Sequence, residues 1–338
     1  MRKYPELSII IVSLNSQRTL KDCLAYIKKQ TYPKIKEVLL VDGGSKDNTL
    51  IIAKNSGLPI KIIKAAYENN QEARRAIGIQ KAKNEICAMI DTDNFITDKN
   101  WLKAMVEPLV DNKLIAASQT LRYSAPKNSS LLNRYFGLLG SADPVAYYLG
   151  KSDRLSWAYD DWRLLGQVIA DKKNYYIVKF NPDNFPTVGA NGIVFKRSML
   201  LKSNWKNPEN YFHTDVFVDI ARKGYDEFAI VKNEIFHNTA DNLISFLRKR
   251  KKYMKLHHQN LQKSRRFLVY NPKNLADVAA LILLVFISLT FVVPLIDSFR
   301  GYLKKKDAAW FLHPFVTFGI TVVYAQATIY KLLRKINV

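Results

Sequence analysis

The chain has 338 residues, of which 48% are hydrophobic, and this is enough apolar material for a full core and too much for a disordered chain. Lysine and arginine number 52 against 29 aspartates and glutamates, so the formal net charge is +23. Such a charge implies an anionic partner or surface, which could be nucleic acid, a phosphorylated ligand or anionic lipid. With two cysteines in the chain, a disulfide-rich scaffold is excluded.

The N-terminal part of the chain alternates apolar runs with helix-like stretches. The apolar runs predict buried strands at residues 7–14, 35–41, 60–64 and 85–90, and the intervening stretches predict helices at 19–30, 47–55 and 72–82. This alternation indicates an α/β fold with a mostly parallel, Rossmann-like sheet. Ligands of such sheets bind at the carboxyl ends of the strands, where this chain places turns rich in Asp and Gly.

The C-terminal part combines a basic block with two apolar runs. Residues 245–274 contain ten Lys and Arg and no acidic residue. Residues 278–296 and 308–330 then form runs of nineteen and twenty-three residues without a formal charge. Each run is close to the ~20 residues that cross the hydrocarbon core of a bilayer as a helix. The sequence therefore predicts two membrane helices.

The second apolar run carries a polar stripe on one helical face, because five residues recur at spacings of three and four: His313, Thr317, Thr321, Tyr324 and Thr328. The stripe either packs against the first helix, or the segment lies along the bilayer surface. If both runs span, the basic block and the tail place thirteen Lys and Arg on one side, against four in the turn 297–307. This bias predicts a cytoplasmic N-terminal domain at the cell membrane, although the basic turn leaves the interfacial alternative open.

We therefore expect three segments. Residues 1–244 form the α/β domain, residues 245–274 a basic juxtamembrane helix or linker, and residues 275–338 the two membrane helices. The apolar run 7–14 is too short for a cleavable signal and lacks a small-residue cleavage pattern, so it is predicted to be a strand.

Two carboxylates follow the fourth predicted strand, in the order Asp91, Thr92, Asp93. At least one of them can hold a hard divalent cation whose other positions are filled by water and substrate phosphates, as is usual for Mg²⁺ or Mn²⁺. A solvated turn with a helix cap is the alternative, since Asp-x-Asp is common by chance. The preceding apolar strand and the upstream Asp42 favour the metal site.

Six segments occur in a recognisable order: LSIIIVSLN, EVLLVDGGSKDNT, ARRAIGI, IDTDN, VGANGIVFKRS, and HTD followed by RKGY. In this order they resemble the family 2 glycosyltransferases, which have the GT-A fold. The resemblance covers about residues 5–255. It implies transfer of a sugar from a nucleotide-diphosphate sugar, of UDP or GDP type, with inversion at the anomeric carbon.

The resemblance assigns donor contacts to the strand ends. Ser13, Asn15 and Asp42 match the positions that hold base and ribose in this family. A carboxylate at Asp42 accepts hydrogen bonds from a base N–H or a ribose hydroxyl. Arg75 matches a basic residue whose guanidinium bridges phosphate or base, while a solvated helix face is the alternative for Arg74 and Arg75.

The predicted metal ligands are Asp93, Asp91 and His237, and Asp91 is also expected to contact the nucleotide sugar. His237 matches a position where some relatives supply a third ligand, and a structural histidine is the alternative. His213 is a weaker candidate of the same kind.

Asp215 lies where the family carries its acidic catalytic base. An inverting transfer needs one carboxylate to take the proton of the acceptor hydroxyl as the hydroxyl attacks. Asp219 is the rival, and helix capping is the alternative role of Asp215. Upstream, the turn that contains Gly189 and Asn191 lets a sugar approach the backbone, although an ordinary turn explains it nearly as well.

The chain departs from the family pattern at several positions. Gly43 replaces a usual Asp, and Ala76 replaces a usual Asn. Arg248, Arg250 and Tyr253 form a loose version of the basic-aromatic motif of processive relatives, without its Gln and Trp. We therefore expect one sugar to be added per encounter, with Arg248 and Arg250 binding the donor diphosphate and the whole block attracted to membrane lipids.

Two classes of function remain. The first is a membrane-associated glycosyltransferase that acts on a lipid-linked glycan, with a polyprenyl-phosphate sugar synthase as its close alternative. The second is a non-enzymatic membrane or nucleic-acid adaptor that uses the basic block as its binding surface. Aromatic residues near the block are too sparse for base stacking, so we expect no nucleic-acid partner.

Overall fold

The computed structural model describes residues 3–254 and 265–336. The chain folds as two compact units, one formed by Met1–Leu121 and Gly166–Asn238, the other by Arg122–Leu165 and Thr239–Val338. We call them the sheet unit and the helical unit.

The sheet unit is built on ten strands: β1 (Leu7–Ser13), β2 (Ile35–Asp42), β3 (Ile60–Lys64), β4 (Ile86–Met89), β5 (Asn94–Phe95), β6 (Ala117–Tyr123), β7 (Gln167–Asp171), β8 (Tyr175–Lys179), β9 (Ile193–Lys196) and β10 (Glu227–His237). Their order across the sheet is β3-β2-β1-β4-β9-β6-β10-β8-β7, and β5 pairs with β10. Strands β1 to β4 pair in parallel, and β9 then joins β4 antiparallel. The predicted α/β class is confirmed, with its parallel part formed by the first four strands.

The helices are α1 (Gln17–Lys28), α2 (Thr49–Lys54), α3 (Gln71–Lys81), α4 (Trp101–Asp111), α5 (Leu131–Leu139), α6 (Pro144–Tyr148), α7 (Arg197–Leu201), α8 (His213–Arg222), α9 (Leu243–Tyr253), α10 (Leu275–Thr290), α11 (Val292–Lys304) and α12 (His313–Ile336). Helices α1 to α3 confirm the three predicted in the first ninety residues, with ends shifted by one or two residues. Of the basic helix expected around residues 243–268, the structure shows α9, and residues 255–264 lie outside the described part of the chain.

The core of the sheet unit depends on a close approach of α3 to β1. Every residue of β1 is buried, as expected for a strand covered on both faces. A Cβ atom at Gly78 of α3 would lie 2.3 Å from Ile10 Cγ2 and 3.4 Å from Val41 Cγ2. The missing side chain therefore sets how closely α3 packs on the sheet.

The helical unit has its own core, which contains Phe136, Phe246, Trp310, Val316 and Ile320. The prediction of one helix over residues 278–296 is wrong, because the chain breaks there into α10 and α11, which meet at 80°. A continuous helix would bring the ring of Pro294 against the carbonyl of Thr290. The chain instead turns at Phe291, whose φ of 60° is left-handed.

In the described residues, Ala308–Tyr330 is the single unbroken helical segment that is long and apolar enough to cross a membrane, and 39% of its most apolar window is buried in the protein. The pair α10–α11 passes the same test only if it counts as one broken span. Of the predicted polar stripe on α12, His313, Thr317 and Thr321 are buried on one face, Tyr324 is half-buried, and Thr328 is exposed.

The contact between α3 and β1 leads to a prediction about stability. Gly78→Val should destabilise the protein by about 1–3 kcal/mol, because its methyl groups would overpack the core at Ile10. The matched control is Gln80→Val on the exposed side of the same helix, which should change stability by less than ~1 kcal/mol. Urea unfolding monitored by far-UV circular dichroism measures both, and equal stability of the two variants would contradict the packing argument.

Candidate active site at the strand ends

Polar side chains gather where the parallel strands end. Ser13 is the last residue of β1 and Asp42 the last of β2, and the register of the two strands pairs them. The turn after β4 adds Asp91 and Asp93. We call this group, with Asn15 on the turn after β1, the strand-end site.

The carboxylate of Asp42 organises the turn after β2. Its Oδ1 accepts hydrogen bonds from Ser13 Oγ at 2.9 Å and Ser45 Oγ at 2.5 Å, and its Oδ2 accepts from the backbone N–H groups of Gly44 and Ser45 at 2.9 and 2.8 Å. Burial alone would raise the pKa of Asp42, but the hydrogen bonds from Ser45, Ser13 and Gly44 outweigh it and hold the pKa below the usual value. Asp42 is therefore ionised at neutral pH.

Asn15, on the turn after β1, belongs to the same hydrogen-bond network. Its φ of 50° lies in the left-handed region, its Oδ1 accepts from Lys46 N at 2.8 Å, and its own N–H donates to Ser45 Oγ at 2.9 Å. The structure thus brings the predicted residues Ser13, Asn15 and Asp42 together as one hydrogen-bonded pair of turns. Their contacts with base and ribose stay a prediction.

Helix α3 supplies a buried cation. Arg74 and Arg75 are 5% and 4% exposed, so the alternative of a solvated helix face is wrong. Arg75 Nη2 donates to Asp91 Oδ2 at 2.6 Å, and its Nη1 donates to Glu72 Oε1. Burial opposes the charged form, but Asp91 and Glu72 together hold the pKa of Arg75 above its ordinary value. Arg75 is a permanent positive charge inside the site.

Glu72 links this cation to the start of α8. Its Oε2 accepts from the backbone N–H of His213 at 2.9 Å, and its Oε1 lies 3.0 Å from His213 Nδ1. Sequence reasoning missed Glu72, although its position three residues before Arg75 is a signal for a helical ion pair. His213, considered above as a metal ligand, is instead a partner of Glu72.

The departure at Gly43 has a structural explanation. A Cβ atom there would lie 2.7 Å from Arg74 Nη1, and the Arg74 guanidinium donates to the backbone carbonyls of Tyr67 and Glu68. The space that a side chain at residue 43 would need is therefore taken by Arg74.

The two carboxylates after β4 have different surroundings. Asp91 faces Arg75 through Oδ2, while its Oδ1 is buried and has no hydrogen-bond partner among the residues that the structure describes. Asp93 Oδ2 lies 3.5 Å from His237 Nε2, because the pairing of β5 with β10 sets His237 opposite Asn94. Sequence reasoning thus placed Asp93 and His237 together correctly.

The side chains around Asp93 supply only part of the ligand set of a divalent cation. Among residues 3–254 and 265–336 no group of three His, Cys, Asp or Glu side chains is arranged to hold a metal. Asp93 and His237 remain as a carboxylate and an imidazole that would hold Mg²⁺ or Mn²⁺ with substrate phosphates completing the shell, which is how Mg²⁺ is usually bound. Arg75 holds Asp91 Oδ2, so the predicted role of Asp91 as a further ligand rests on Oδ1 and stays a prediction.

The loop that contains Gly189 and Asn191 packs on the start of α8. Gly189 has a φ of 116°, and a Cβ atom there would lie 2.7 Å from the Phe217 ring and 3.2 Å from the carbonyl carbon of His213. Asn191 is also left-handed, with a φ of 58°. The glycine permits both the backbone conformation and the close approach to α8.

Asp215 lies in the first turn of α8 and is 1% exposed. The residue at the N-cap position is Phe212, so Asp215 is not the N-cap residue. The rival Asp219 accepts a hydrogen bond from Asn204 N at 3.0 Å and so has a structural role. The assignment of Asp215 as the base stays a prediction.

The two predicted arginines of the basic block belong to α9 in the helical unit. Arg248 is exposed. Arg250 Nη2 donates to the carbonyl of Ala142 at 2.6 Å, its Nη1 lies 3.8 Å from Asp143 Oδ2, and its guanidinium stacks 5.4 Å from the ring centre of Phe246. Arg250 therefore stabilises the helical unit, and its predicted role in donor binding stays untested.

Residues 8–168 match the sequence model of the family described as glycosyl transferase family 2. Glycosyltransferase AglE of Haloferax volcanii is 30% identical over 135 residues, which are 39% of this chain and 44% of that protein. Glycosyltransferase GlyG of Streptococcus pneumoniae serotype 4 is 28% identical over 95 residues, 27% of this chain and 31% of that protein. The matches span less than half the length of these curated relatives.

The chain carries a family 2 glycosyltransferase domain. A solved structure with a similar fold is the mannosyltransferase PcManGT from Pyrobaculum calidifontis in complex with GDP-Man and Mn²⁺, with a TM-score of 0.53 and 14% sequence identity. The likeness covers 95% of this chain and 87% of that one. The predicted GT-A fold of the glycosyltransferase domain is confirmed.

The environment of Asp42 predicts a pH-dependent stability. Its folded-state pKa is depressed, so the carboxylate stabilises the fold above the unfolded-state pKa of about 3.9, and this contribution is lost as the pH falls through the folded value. Asp42→Asn should therefore cost about 1–3 kcal/mol at neutral pH and progressively less below about pH 4. Urea unfolding between pH 7 and pH 3 measures the difference. Asp22→Asn, at an exposed aspartate, is the control.

The buried pair of Glu72 and Arg75 predicts a second effect. Glu72→Gln removes one of the two carboxylates that neutralise the charge of Arg75. It also places an amide NH₂ against groups that themselves donate hydrogen bonds, so it should lower the free energy of unfolding by about 3 kcal/mol. Glu68→Gln, at an exposed glutamate in the preceding loop, should leave stability within ~0.5 kcal/mol of wild type. Thermal unfolding compares the two, and a Glu72→Gln protein as stable as Glu68→Gln would contradict the proposed network.

Proposed function

We propose that this chain is an inverting glycosyltransferase that moves a sugar from a nucleotide-diphosphate sugar to a lipid-linked glycan at the cytoplasmic face of the cell membrane. The observation that carries the proposal is the environment of Asp91. A carboxylate oxygen buried without a hydrogen bond is costly unless a ligand supplies the donor. Because Arg75 fixes the other oxygen, Asp91 Oδ1 is oriented to accept a hydrogen bond from a base or ribose of the donor.

Charge at the site supports a diphosphate ligand. Arg75 is a buried cation, and Asp93 with His237 would hold Mg²⁺ or Mn²⁺. A bound cation would stabilise the negative charge that develops on the departing diphosphate. The complex of PcManGT with GDP-Man and Mn²⁺ is in line with this combination of donor and metal.

Asp215 would take the proton of the acceptor hydroxyl. The start of α8 is fixed on one side by the hydrogen bond from His213 N to Glu72 and on the other by the packing of Gly189. This support keeps the Asp215 carboxylate in place as the hydroxyl attacks the anomeric carbon, a requirement of general-base catalysis. The rival Asp219 is already bound to Asn204 N.

The acceptor is inferred from the helical unit. Large apolar side chains remain exposed on α10, α11 and α12, among them Ile282, Phe286, Phe299 and Leu303. Contiguous exposed apolar surface marks an interaction site, and a lipid bilayer fits helices of this composition. A transferase held at a membrane meets acceptors whose lipid tails lie in that membrane.

The proposal predicts separate effects for two substitutions. Asp215→Asn should lower the transfer rate by about 10²–10⁴-fold and leave the thermal shift by donor and Mn²⁺ intact, since the base acts on the acceptor. Asp93→Asn should remove the Mn²⁺-dependent part of that shift. Sugar transfer to extracted lipid-linked glycan and, in a parallel arm, to polyprenyl phosphate measures activity.

Asp183→Asn, at a largely exposed aspartate that pairs with Arg222 at 3.3 Å, is the matched control and should retain both properties. Full transfer activity in both site variants would overturn the assigned roles. If none of the UDP and GDP sugars produces a thermal shift with either Mn²⁺ or Mg²⁺, the assignment of the chain as a glycosyltransferase is overturned.

A further inference from the structure

The helices of the C-terminal region have an inverted distribution of side chains. On α11 the buried residues are Pro294, Asp297, Ser298 and Gly301. The outward face of the same helix carries large apolar side chains that are 44–76% exposed: Val292, Leu295, Ile296, Phe299 and Leu303. A helix at the surface of a water-soluble domain has the opposite arrangement. The outer face of α11 is therefore suited to an apolar solvent.

Helices α10 and α12 extend this surface. On α10, Ser288 is buried while Phe286 and Leu289 are 65% and 61% exposed. On α12, His313 is buried while Phe315 is 59% exposed. We call the exposed apolar side chains of α10, α11 and the start of α12 the outer apolar face.

The surroundings of α12 bear on whether it crosses a bilayer. Gly319 lies midway between Ala308 and Tyr330, and a Cβ atom there would be 3.0 Å from Leu247 Cδ1 of α9. The next residues of α9, Arg248 and Lys249, are exposed. They follow Leu247 by a rise of about 3 Å, whereas the bilayer midplane is ~15 Å from water. A spanning α12 would therefore bury these charges near the midplane, where charges are costly.

Polar contacts hold the first half of α12, from His313 to Tyr324. His313 Nε2 lies 2.9 Å from Tyr148 OH, which also donates to Asp297 Oδ2 of α11 at 3.1 Å. Nearly three turns further on, Tyr324 OH donates to Asp143 Oδ2 at 2.5 Å. The start of this stretch is thus bound to polar groups of α6 and α11, and its end is bound to the N-cap residue of α6.

The first apolar run does not form one straight helix long enough to cross a bilayer. At 1.5 Å per residue, the sixteen residues of α10 rise about 24 Å, less than the ~30 Å hydrocarbon core, and the 80° bend then redirects the chain. Exposed Lys306 lies in the turn between the α11 and α12 parts of the outer apolar face, and exposed Lys273 precedes α10. A face bordered by cations fits a lipid surface with anionic headgroups.

We propose that the helical unit is monotopic: its outer apolar face inserts into one leaflet of an anionic bilayer, and no helix of the described chain crosses to the other side. This inference rests on the proposed membrane association and specifies its form. It replaces the two-span prediction and places the turn between α11 and α12 on the same side of the membrane as the glycosyltransferase domain.

Cysteine labelling tests the topology in the full-length protein bound to the outside of sealed phosphatidylcholine–phosphatidylglycerol vesicles. Lys306→Cys reports on the turn, and Lys21→Cys, exposed on α1, is the reference for the side of the glycosyltransferase domain. The native Cys23 and Cys87 are buried and give little background. A membrane-impermeant maleimide should label both variants equally before detergent is added. Labelling of Lys306→Cys only after detergent would overturn the monotopic arrangement.

Vesicle flotation tests the lipid contact independently of catalysis. Phe299→Glu combined with Leu303→Glu should reduce flotation with the same vesicles at least tenfold. The control is Ile51→Glu on α2, where an exposed apolar residue of the sheet unit is changed, and it should float like wild type. Wild-type protein that does not float, or that buries this face by forming a dimer in size-exclusion chromatography, would overturn the proposal. The donor-induced thermal shift reports separately on whether the proposed enzyme function fails.

Discussion

The buried guanidinium of Arg75 is the interaction on which the strand-end site depends. It lies between Asp91 at the end of β4 and Glu72 on its own helix, and Glu72 in turn holds the start of α8 through His213. Removal of any member leaves a buried charge without its partner, which is more costly than the loss of an exposed ion pair. The turn after β4, helix α3 and the start of α8 are therefore connected through buried side chains within the sheet unit.

The backbone of the sheet unit was largely predictable because its signals are local. Apolar runs mark strands from neighbouring residues alone, and β3 has the predicted ends. Its predicted burial is wrong, because β3 lies at the edge of the sheet and all five of its residues are half-buried or exposed. Side-chain partners depend on distant contacts. The pairing of Glu72 with His213 joins residues 141 positions apart, and the burial of Arg74 and Arg75 follows from helix packing that no local period reveals.

In the C-terminal region, the helices were predictable but their break and their packing were not. Hydropathy correctly identified apolar helices, but a count of uncharged residues does not register a break at Phe291 and Pro294. Nor does it show that α12 runs beside the basic helix α9. The polar stripe of α12 was the informative signal, since residues such as Thr317 face the protein and leave the bulky apolar residues outside. The proposed membrane attachment thus depends on which face of each helix is covered rather than on helix length.

The span of chain between Glu72 and His213 also has a consequence for biogenesis. Strands β1 to β4 are complete by residue 89, but the carboxylate on α3 acquires its histidine partner only after β6 to β9 and the segment before α8 have emerged. Closing a loop of that size is slow relative to local folding. In a nascent chain, strands β1 to β4 are therefore complete long before the start of α8 is available to dock, and the hydrogen bond between His213 and Glu72 forms only late in synthesis.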